Sequence, residues 1–476
     1  MLESGKKIWF LVLGLAFVLI NAICIGFEQY LILLFPFVLG VFYLAMFRME
    51  LFIKIIIFIV PLSVSLKELQ ITGLGMNMAL PTEPILFGLM ILFILKLLQK
   101  GTFDKRIITH PITIAILLNV CWIAITCIPS IRPLVSLKFL ISRIWLLATF
   151  YFIISNLFKD RKNIEFFFWL YTSGLAIVIA YTLVMHSFNG FDQKSANWIM
   201  NPFFSDHTSY GAAIAFVFPF IVYKCFDKKI FGSLRILLFG LFLFFTIALV
   251  LSYTRAAWLS VIGAAGVYVV LKFKIKWWVL GIVSLFFTVF IIGMWSTISA
   301  TLEGNKQDSS SNLQEHVSSM SNVNSDASNL ERFNRWNSAV EMFKERPVFG
   351  WGPGVYAFEY APFQRTIDKT IISTNSGDGG NAHSEYLGPL AESGIIGSLS
   401  MLMIVLTTLY TAIRLYKKST DNKVKSLVMV SILGLISYYL HGGLNNFLDT
   451  DKISCLFWGL TAAIVVLDIQ EKKLEN

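Results

Sequence analysis

Long apolar segments alternate with short polar segments along nearly the whole chain. An apolar run of about 20 residues is long enough to cross the ~30 Å hydrocarbon core of a bilayer as a helix. The pattern predicts an all-α polytopic integral membrane protein with fourteen transmembrane helices, or twelve if one pair of segments is re-entrant. The fourteen segments are residues 8–27, 30–47, 51–66, 84–98, 110–129, 135–158, 164–187, 208–226, 234–253, 256–272, 276–297, 394–413, 426–441 and 453–468.

One polar segment, residues 298–393, is far longer than the others. It separates a first membrane bundle, residues 1–297, from a last one, residues 394–476. Its first part, Thr301–Asn329, is rich in serine and asparagine without apolar periodicity, which is typical of a flexible tether. From Leu330 onwards, apolar residues recur at three- and four-residue steps, and this spacing predicts an amphipathic helix.

The predicted amphipathic helix has a start, an apolar stripe and a stop. Asn329 is a candidate N-cap, and Pro347 with the glycines after it ends the helix. The stripe consists of Phe333, Trp336, Val340 and Phe343. We expect this helix to lie on the membrane surface or to cap a cavity. The dense aromatic residues between Phe349 and Phe363 favour a belt at headgroup level over a floor for sugar stacking.

The distribution of positive charge predicts an orientation. The formal net charge is +10, and 25 Lys and Arg residues lie in one set of alternate loops, against five in the opposite short loops. By the positive-inside rule, both termini are cytoplasmic and residues 298–393 face outward. The basic excess is therefore explained by topology, and nucleic acid is not predicted as a partner. Membrane lipids are the expected surroundings.

Neither cysteine nor histidine spacing predicts a metal or a cofactor. The five cysteines lie in or beside apolar runs, so neither a disulfide framework nor a thiolate site is indicated. No HxxxH, HExxH or cysteine pair occurs. One weak metal alternative remains, because Asp449 and Asp451 in an outward loop have a spacing that can hold a divalent cation beside a diphosphate.

Five basic residues are candidates for binding an anion. Arg255 joins two apolar runs at the outer boundary, where it either binds a ligand or snorkels to lipid phosphates. Arg332 and Arg335 share one face of the predicted helix, as a phosphate clamp or as a solvated face. Lys138 and Arg143 lie in the outer half of the sixth span, without an evident acidic partner, which favours an anionic ligand.

Residues 381–397, NAHSEYLGPLAESGIIG, combine candidate chemistry with a membrane boundary. His383 is the one histidine in the part of the large loop that is predicted to be ordered, and a structural role is the alternative. The order His383-Ser384, nine residues, Gly394 and Gly397 resembles the H-[NS]-x9-G-x-x-G motif of the O-antigen ligase and O-antigen polymerase superfamily. That superfamily also includes bacterial protein O-oligosaccharyltransferases.

Two further elements carry the resemblance. Arg332 with Trp336, followed by Pro347 and GWGPG, resembles the family's R-x-x-x-W…P-x-x-G-x-G segment. The sequence Tyr253-Thr-Arg-Ala resembles its S-R-G/A element, with Thr254 where serine is usual. The resemblance covers about residues 205–400; before residue 160 it consists of serial spans alone.

The resemblance implies an inverting glycosyltransferase of the bacterial inner membrane with a periplasmic active site. The donor would be a glycan on undecaprenyl diphosphate. The acceptor would be lipid A–core for a ligase, another lipid-linked glycan for a polymerase, or a protein hydroxyl for an oligosaccharyltransferase; the motif is most typical of ligases. His383 would be the general base, while Arg255 and Arg332 would hold the diphosphate and Arg335 would support them. Because the outward side offers several arginines, a metal-independent mechanism needs fewer assumptions.

A protein of another class stays open at this point. A flippase or exporter of lipid-linked glycans would explain basic residues within the spans. It has no use for an ordered loop on one side that carries His383. Product formation from donor and acceptor separates the two classes, since a transporter forms no product.

The orientation is testable by labelling. A cysteine introduced at Ser310 should react with an impermeant thiol reagent in cells whose outer membrane has been permeabilised, because the large loop is predicted to face outward. Reaction that requires lysis of the inner membrane would reverse the whole orientation.

Overall fold

Helices account for nearly all of the regular structure in the described part of the chain. The computed structural model describes residues 2–27, 33, 35–66, 68, 78–100, 103–276, 327–365, 373 and 380–475. The predicted span at 276–297, apart from its first residue, lies outside these ranges, as does the predicted tether as far as residue 326.

The chain divides into two units, Met1–Ile56 and Ile57–Asn476. The first unit holds helix α1 (Leu2–Gly26), α2 (Phe35–Phe47) and most of α3 (Met49–Ile59). The predicted third span, 51–66, is too long: α3 ends at Ile59, and a 3-10 turn at Val60–Leu62 follows. Pro61 lies in that turn, and proline cannot donate the backbone hydrogen bond that would continue the helix.

The second unit holds the remaining described elements. Its helices are α4 (Thr82–Lys100), α5 (Lys105–Ile108), α6 (Pro111–Thr126), α7 (Pro133–Leu147), a π-helical stretch (Ala148–Ile153), α8 (Ile154–Leu157), α9 (Lys162–Phe188), α10 (Gln193–Ala196), α11 (His207–Cys225), α12 (Ser233–Leu251), α13 (Arg255–Lys272), α14 (Ala327–Glu345), α15 (Tyr356–Glu359), a 3-10 turn (Ala361–Phe363), α16 (Leu387–Lys418), α17 (Asn422–His441) and α18 (Asp451–Glu475). Strands β1 (Val64–Ser65) and β2 (Ala79–Leu80) form one antiparallel pair, with Val64 opposite Leu80.

The described helices confirm the all-α polytopic fold. Nine of them are long and apolar enough to cross a membrane: Thr82–Gln99, Pro133–Leu157, Lys162–Phe188, His207–Cys225, Ser233–Leu251, Arg255–Lys272, Leu387–Lys418, Asn422–His441 and Asp451–Lys473. Three more apolar helices are shorter: Gly14–Gly26, Phe35–Phe47 and Pro111–Thr126.

The centre of the second unit lies at α17 and α18. Their apolar windows are 83% and 89% buried, against 22% for α12 and α13. Close approach is possible because a Cβ on Gly434 of α17 would lie 2.7 Å from the backbone oxygen of Phe216 in α11. Ser437 adds a hydrogen bond of 3.2 Å to the carbonyl of Ala215. The C-terminal helices are thus enclosed, with other helices around them.

Helix α14 differs from its prediction in two ways. It begins at Ala327, so Asn329 lies inside the helix and is not its N-cap. The predicted apolar stripe is only half-buried, and the buried residues of the helix are Glu331, Asn334, Arg335, Ser338, Ala339 and Met342. Polar side chains can face inward here because they bond to one another and to neighbouring loops. A buried face made of polar residues cannot be predicted from the periodicity of apolar residues.

The buried face of α14 belongs to a small core of its own. That core consists of Ala339, Met342, Tyr356, Tyr360, Ala382 and Ala391, with Trp351, Phe363 and Leu387 packed against it. The core joins α14 to the segment before α16. We call residues 327–365 and 380–393 the loop module.

A buried polar cluster joins the start of α18 to two distant segments. Asp451 accepts hydrogen bonds from the hydroxyls of Ser63, at 2.8 Å, and Thr82. The ammonium group of Lys452 donates to the backbone oxygen of Ser63 at 3.0 Å and lies 3.7 Å from Asp451. Removing one member of a buried ion pair leaves the other charge without compensation.

Asp451→Ala should therefore destabilise the protein by about 3–5 kcal/mol. Thermal unfolding in detergent measures the loss. Asp421→Ala is the matched control, because Asp421 pairs with Arg161 at 3.1 Å with a side chain that is 45% exposed, and such pairs contribute little. Equal unfolding temperatures for the two variants would contradict the role of the Asp451 cluster.

Candidate active site

The backbone at His383 is held in an unusual conformation. Its φ of 48° lies in the left-handed region, where residues other than glycine are uncommon. The amide of His383 donates to the side-chain oxygen of Asn381 at 3.1 Å, and its carbonyl accepts from the Trp336 indole at 3.3 Å. The neighbouring residue Ala382 is buried in the core of the loop module. These contacts fix the position from which the imidazole extends.

Ser384 begins the helical segment that follows His383. Its hydroxyl oxygen accepts from the amides of Tyr386 and Leu387, both at 3.3 Å, and its carbonyl accepts from Gly388 at 3.0 Å. Asparagine and serine are favoured at helix starts because their side chains accept such backbone hydrogen bonds. A capping role thus gives the second motif position a physical reason.

The motif glycines permit two backbones to cross. At Gly394 (φ 67°, ψ −168°) α16 is kinked, and the amide of Ile395 donates to the carbonyl of Pro347 at 2.9 Å. A Cβ on Gly394 would lie 2.1 Å from the oxygen of Val348, and one on Gly350 would lie 2.3 Å from the carbonyl carbon of Glu392. No side chain fits at such distances.

The crossing has further backbone bonds and an anchor in the membrane bundle. Trp351 donates its amide to the carbonyl of Ala391 at 3.0 Å. The indole of Trp122 in α6 donates to the carbonyl of Ser393 at 2.7 Å. At Gly397, a Cβ would lie 2.4 Å from that of Ser393. At Gly350 and Gly394, the loop after α14 thus crosses the kinked helix α16, whereas Gly397 packs within α16 itself.

The imidazole of His383 lies among several charges. Burial, together with the positive charges of Arg332 and Arg335, lowers the pKa of His383 to about 4, while Glu331 and Asp206 oppose the shift. The ring is therefore neutral at physiological pH, the form that accepts a proton. An unperturbed histidine has a pKa of ~6.5, so the site lowers the pKa of this ring, chiefly because burial disfavours its charged form.

The two arginines of α14 have different surroundings. Arg332 is half-buried, and its charge acts on both His383 and His441. Arg335 is buried, pairs with Glu331 at 2.5 Å and lies 4.1 Å from the ring centre of Tyr360. Its side chain thus packs against the core of the loop module, where its buried Nη1 makes no hydrogen bond to the described residues.

Glu331 is the carboxylate that holds Arg335. Burial opposes its ionisation, but hydrogen bonds from Ser373 and Arg335 lower the pKa of Glu331. A Cβ on Gly380 would lie 1.6 Å from Nη1 of Arg335, so the guanidinium fills the space that this glycine leaves. The Glu331–Arg335 pair therefore supports the backbone three residues before His383.

Arg255 begins α13, beside the first turn of α11. The hydroxyl of Thr254 donates to the carbonyl of His207 at 2.8 Å, and a Cβ on Gly211 would lie 2.9 Å from Cβ of Thr254. Asp206 caps α11 by accepting from the amides of Thr208 and Ser209 at 2.9 and 2.8 Å. The first turns of α11 and α13 are thereby held together.

Two groups at this site were not assigned a role from the sequence. The carboxylate of Glu385 accepts from the hydroxyl of Tyr438 at 2.5 Å and from the amides of Phe447 and Leu448 at 2.8 Å, and burial raises its pKa. His441 is buried, and the charges of Arg332 and Asp206 act on it as they do on His383. The two residues are far apart in the sequence, and only the fold brings their segments together.

Lys138 and Arg143 have different surroundings and are not brought together. Lys138 is exposed on α7, whereas Arg143 is buried and has an acidic partner that the sequence did not reveal, Asp449 at 4.0 Å. A spacing of five residues puts the two cations on different sides of a helix.

The predicted aspartate pair also separates. Asp449 faces Arg143, whereas Asp451 is held by Ser63 and Thr82. Within the described ranges, no group of three or more His, Cys, Asp or Glu residues is arranged to hold a metal ion. The weak metal alternative thus gains no support from the placement of these two carboxylates.

Comparisons with known proteins extend the motif resemblance. A family model described as O-antigen ligase matches residues 239–402, which contain Arg255, Arg332 and His383. An uncharacterized protein of Haemophilus influenzae is 21% identical over 259 residues, 53% of this chain and 61% of that protein. The chain thus spans less than two thirds of that relative's length. The matched family consists of glycosyltransferase-like enzymes that act on lipid-linked glycans. Residues 239–402 of this chain thus resemble the O-antigen ligase family.

Proposed function

We propose that this protein transfers a glycan from undecaprenyl diphosphate to an acceptor hydroxyl on the periplasmic face of the inner membrane. The acceptor is lipid A–core, which makes the protein an O-antigen ligase. The observation that carries the proposal is the neutral imidazole of His383, on which the charges of Arg332 and Arg335 act, within the segment that the family model matches.

The chemistry needs a base and a site for an anion. His383 takes the proton of the acceptor hydroxyl while that oxygen bonds to the anomeric carbon. The bond from this carbon to the diphosphate oxygen breaks, and the diphosphate leaves with the bonding electrons. Attack opposite the leaving group inverts the anomeric configuration. His383 then releases its proton to water.

Arginines neutralise the charge that develops on the diphosphate. We assign this role to Arg332, which is half-buried on α14, and to Arg255 in the first turn of α13. Positive charges placed in advance where negative charge develops are a large source of rate enhancement. Arg335, held by Glu331, supports the module and is assigned a structural role.

Transfer by the purified protein tests this proposal directly. Protein incubated with lipid-linked O-antigen and lipid A–core should form capped lipid A–core. Loss of the gene should abolish capped lipid A–core, whereas loss of a polymerase leaves a single capped repeat. A protein that only moves the donor across a membrane would form no product.

The role of His383 as the base predicts how kcat/KM depends on pH. A base must be unprotonated, so kcat/KM should fall only as the pH drops toward about 4, the lowered pKa of His383. Arg332→Gln removes a positive charge that lowers this pKa, so the acid limb of its remaining activity should move upward. Arg332→Lys keeps the charge and should keep the limb in place.

His383→Ala serves as the reference for those profiles. It should lose about 10²–10⁴ in rate, the usual contribution of a general base. Activity of wild-type size in His383→Ala would remove the base from the mechanism. Strong inhibition by EDTA, reversed by magnesium or manganese, would replace the arginine mechanism with a metal-assisted one.

The proposed binding of phosphate by Arg255 and Arg332 predicts the activities of their Ala and Lys variants. Ala at Arg255 or Arg332 should abolish most activity, and Lys should restore only part of it, because an ammonium group lacks the planar fork that binds two phosphate oxygens. Steady-state kinetics in proteoliposomes, with protein content determined for each variant, measures both effects. Full activity of Arg332→Ala would exclude that residue from the site.

A further inference from the structure

Arg143 is a buried arginine whose only acidic group within ion-pair distance, among the described residues, lies beyond hydrogen-bond distance. Only 9% of its surface is exposed, yet among the described residues its guanidinium makes no hydrogen bond. Its single ion-pair contact within that part of the chain is Asp449 at 4.0 Å, longer than a charge-assisted hydrogen bond of ~2.7–2.9 Å. The ring of Phe139 lies 5.4 Å away. Within the described part of the chain, its five N–H donors are thus not used in hydrogen bonds.

The surroundings of Arg143 are rich in carboxylates. Its positive charge acts on Asp449, Glu385 and Glu392. Glu385 is committed to Tyr438 and two backbone amides, and Glu392 accepts from the amide of Tyr356 at 3.1 Å. Asp449 differs, because its side chain is 49% exposed. Of the three carboxylates, Asp449 has the side chain with room to move.

Arg143 also lies close to the proposed reaction site. Glu385, on which its charge acts, is two residues from His383, and the amide of Glu385 donates to the carbonyl of Gly442 at 2.7 Å. Along α7, Arg143 is ten residues beyond Pro133, or about 15 Å along the helix axis. With Pro133 at the predicted outward end, Arg143 lies on the membrane side of the His383 loop.

We infer that Arg143 forms a second anion subsite, which takes the lipid-side phosphate of the donor, and that Asp449 occupies this subsite until the donor binds. The inference rests on the proposed function. A lipid diphosphate has two phosphates in line, one toward the glycan and one toward the lipid. Arg332 binds the first, beside His383, and Arg143 binds the second, nearer the membrane.

Geometry favours the replacement of Asp449 by a phosphate as the partner of Arg143. A phosphate presents oxygens that match the guanidinium fork in two hydrogen bonds, whereas Asp449 at 4.0 Å makes none. The carboxylate in turn keeps the enclosed cation compensated while the site is empty. When the phosphate arrives, the half-exposed Asp449 swings to solvent. Smaller anions gain less because they reach only one of the two subsites.

A thermodynamic cycle tests this subsite through binding rather than turnover. The probe is undecaprenyl diphosphate, added to the full-length protein in nanodiscs. Asp449→Asn should tighten its binding about 3- to 10-fold, because the competing charge is removed. Arg143→Met should weaken it about 10- to 100-fold, as the loss of hydrogen bonds to a charged group predicts. In the double variant, the effect of Asp449→Asn should vanish.

Asp421→Asn is the matched control, since Asp421 is an aspartate of similar exposure, 45%, paired with Arg161 on the opposite predicted side. It should leave the affinity unchanged. If Arg143→Met does not fold, Arg143→Lys replaces it. Because lysine keeps the positive charge, binding by Arg143→Lys should still tighten when Asp449→Asn is added. Additive effects in the cycle, or weaker binding by Asp449→Asn, would overturn the inference.

Other probes separate the sources of phosphate. Undecaprenyl monophosphate and inorganic pyrophosphate should bind more weakly than the lipid diphosphate and respond less to Asp449→Asn. Phosphatidylglycerol that binds equally well, with the same cycle, would make this a headgroup site and overturn its assignment to the donor. If the protein transfers glycan but the Arg143 and Asp449 variants have additive effects on binding, the subsite alone is refuted. If the effects on binding are coupled as expected but no glycan is transferred, the proposed glycosyltransferase function is refuted.

Discussion

The site depends on the crossing of two backbones at Gly350 and Gly394. The carbonyls of Ala391 and Glu392 accept from the amides of Trp351 and Gly352 at 3.0 and 2.8 Å. Because the bonds are between main chains and the gap excludes a Cβ, this contact has one register. It fixes the C-terminal end of α14, the helix that carries Arg332, relative to the start of α16, which follows His383.

Burial determines the chemical state of the base. An exposed histidine beside two arginines would still titrate near its usual pKa, since water and salt screen exposed charges. Enclosure of His383 removes that screening and adds a desolvation cost to the charged ring, so the neutral form prevails. The positive φ and the bonds from Asn381 and Trp336 hold this ring in place.

The length of the apolar runs predicted the nine long apolar helices among the described residues, because each run is long enough to cross the hydrocarbon core. At α14, apolar periodicity predicted the helix but not its buried face, where Glu331 and Arg335 compensate each other inside the loop module. The residue types of the motifs were also readable, but the reason for Gly394 required the oxygen of Val348, 46 residues earlier in the chain. The Arg143–Asp449 contact joins residues 306 positions apart, which no local pattern encodes.

The basic residues separate into groups only when their partners are known. Arg335 has Glu331 at 2.5 Å and the ring of Tyr360 beside it, so its charge is compensated within the loop module, although its buried Nη1 makes no hydrogen bond in the described part of the chain. Arg143 has a carboxylate at 4.0 Å, which compensates its charge but leaves its donors unused. An arginine in this state can exchange its carboxylate partner for an anionic ligand, because one of the two always compensates its charge. The two arginines differ in their partners: the side chain of Asp449 is 49% exposed, whereas that of Glu331 is buried. The partner of Arg143 is therefore the one that a ligand can displace.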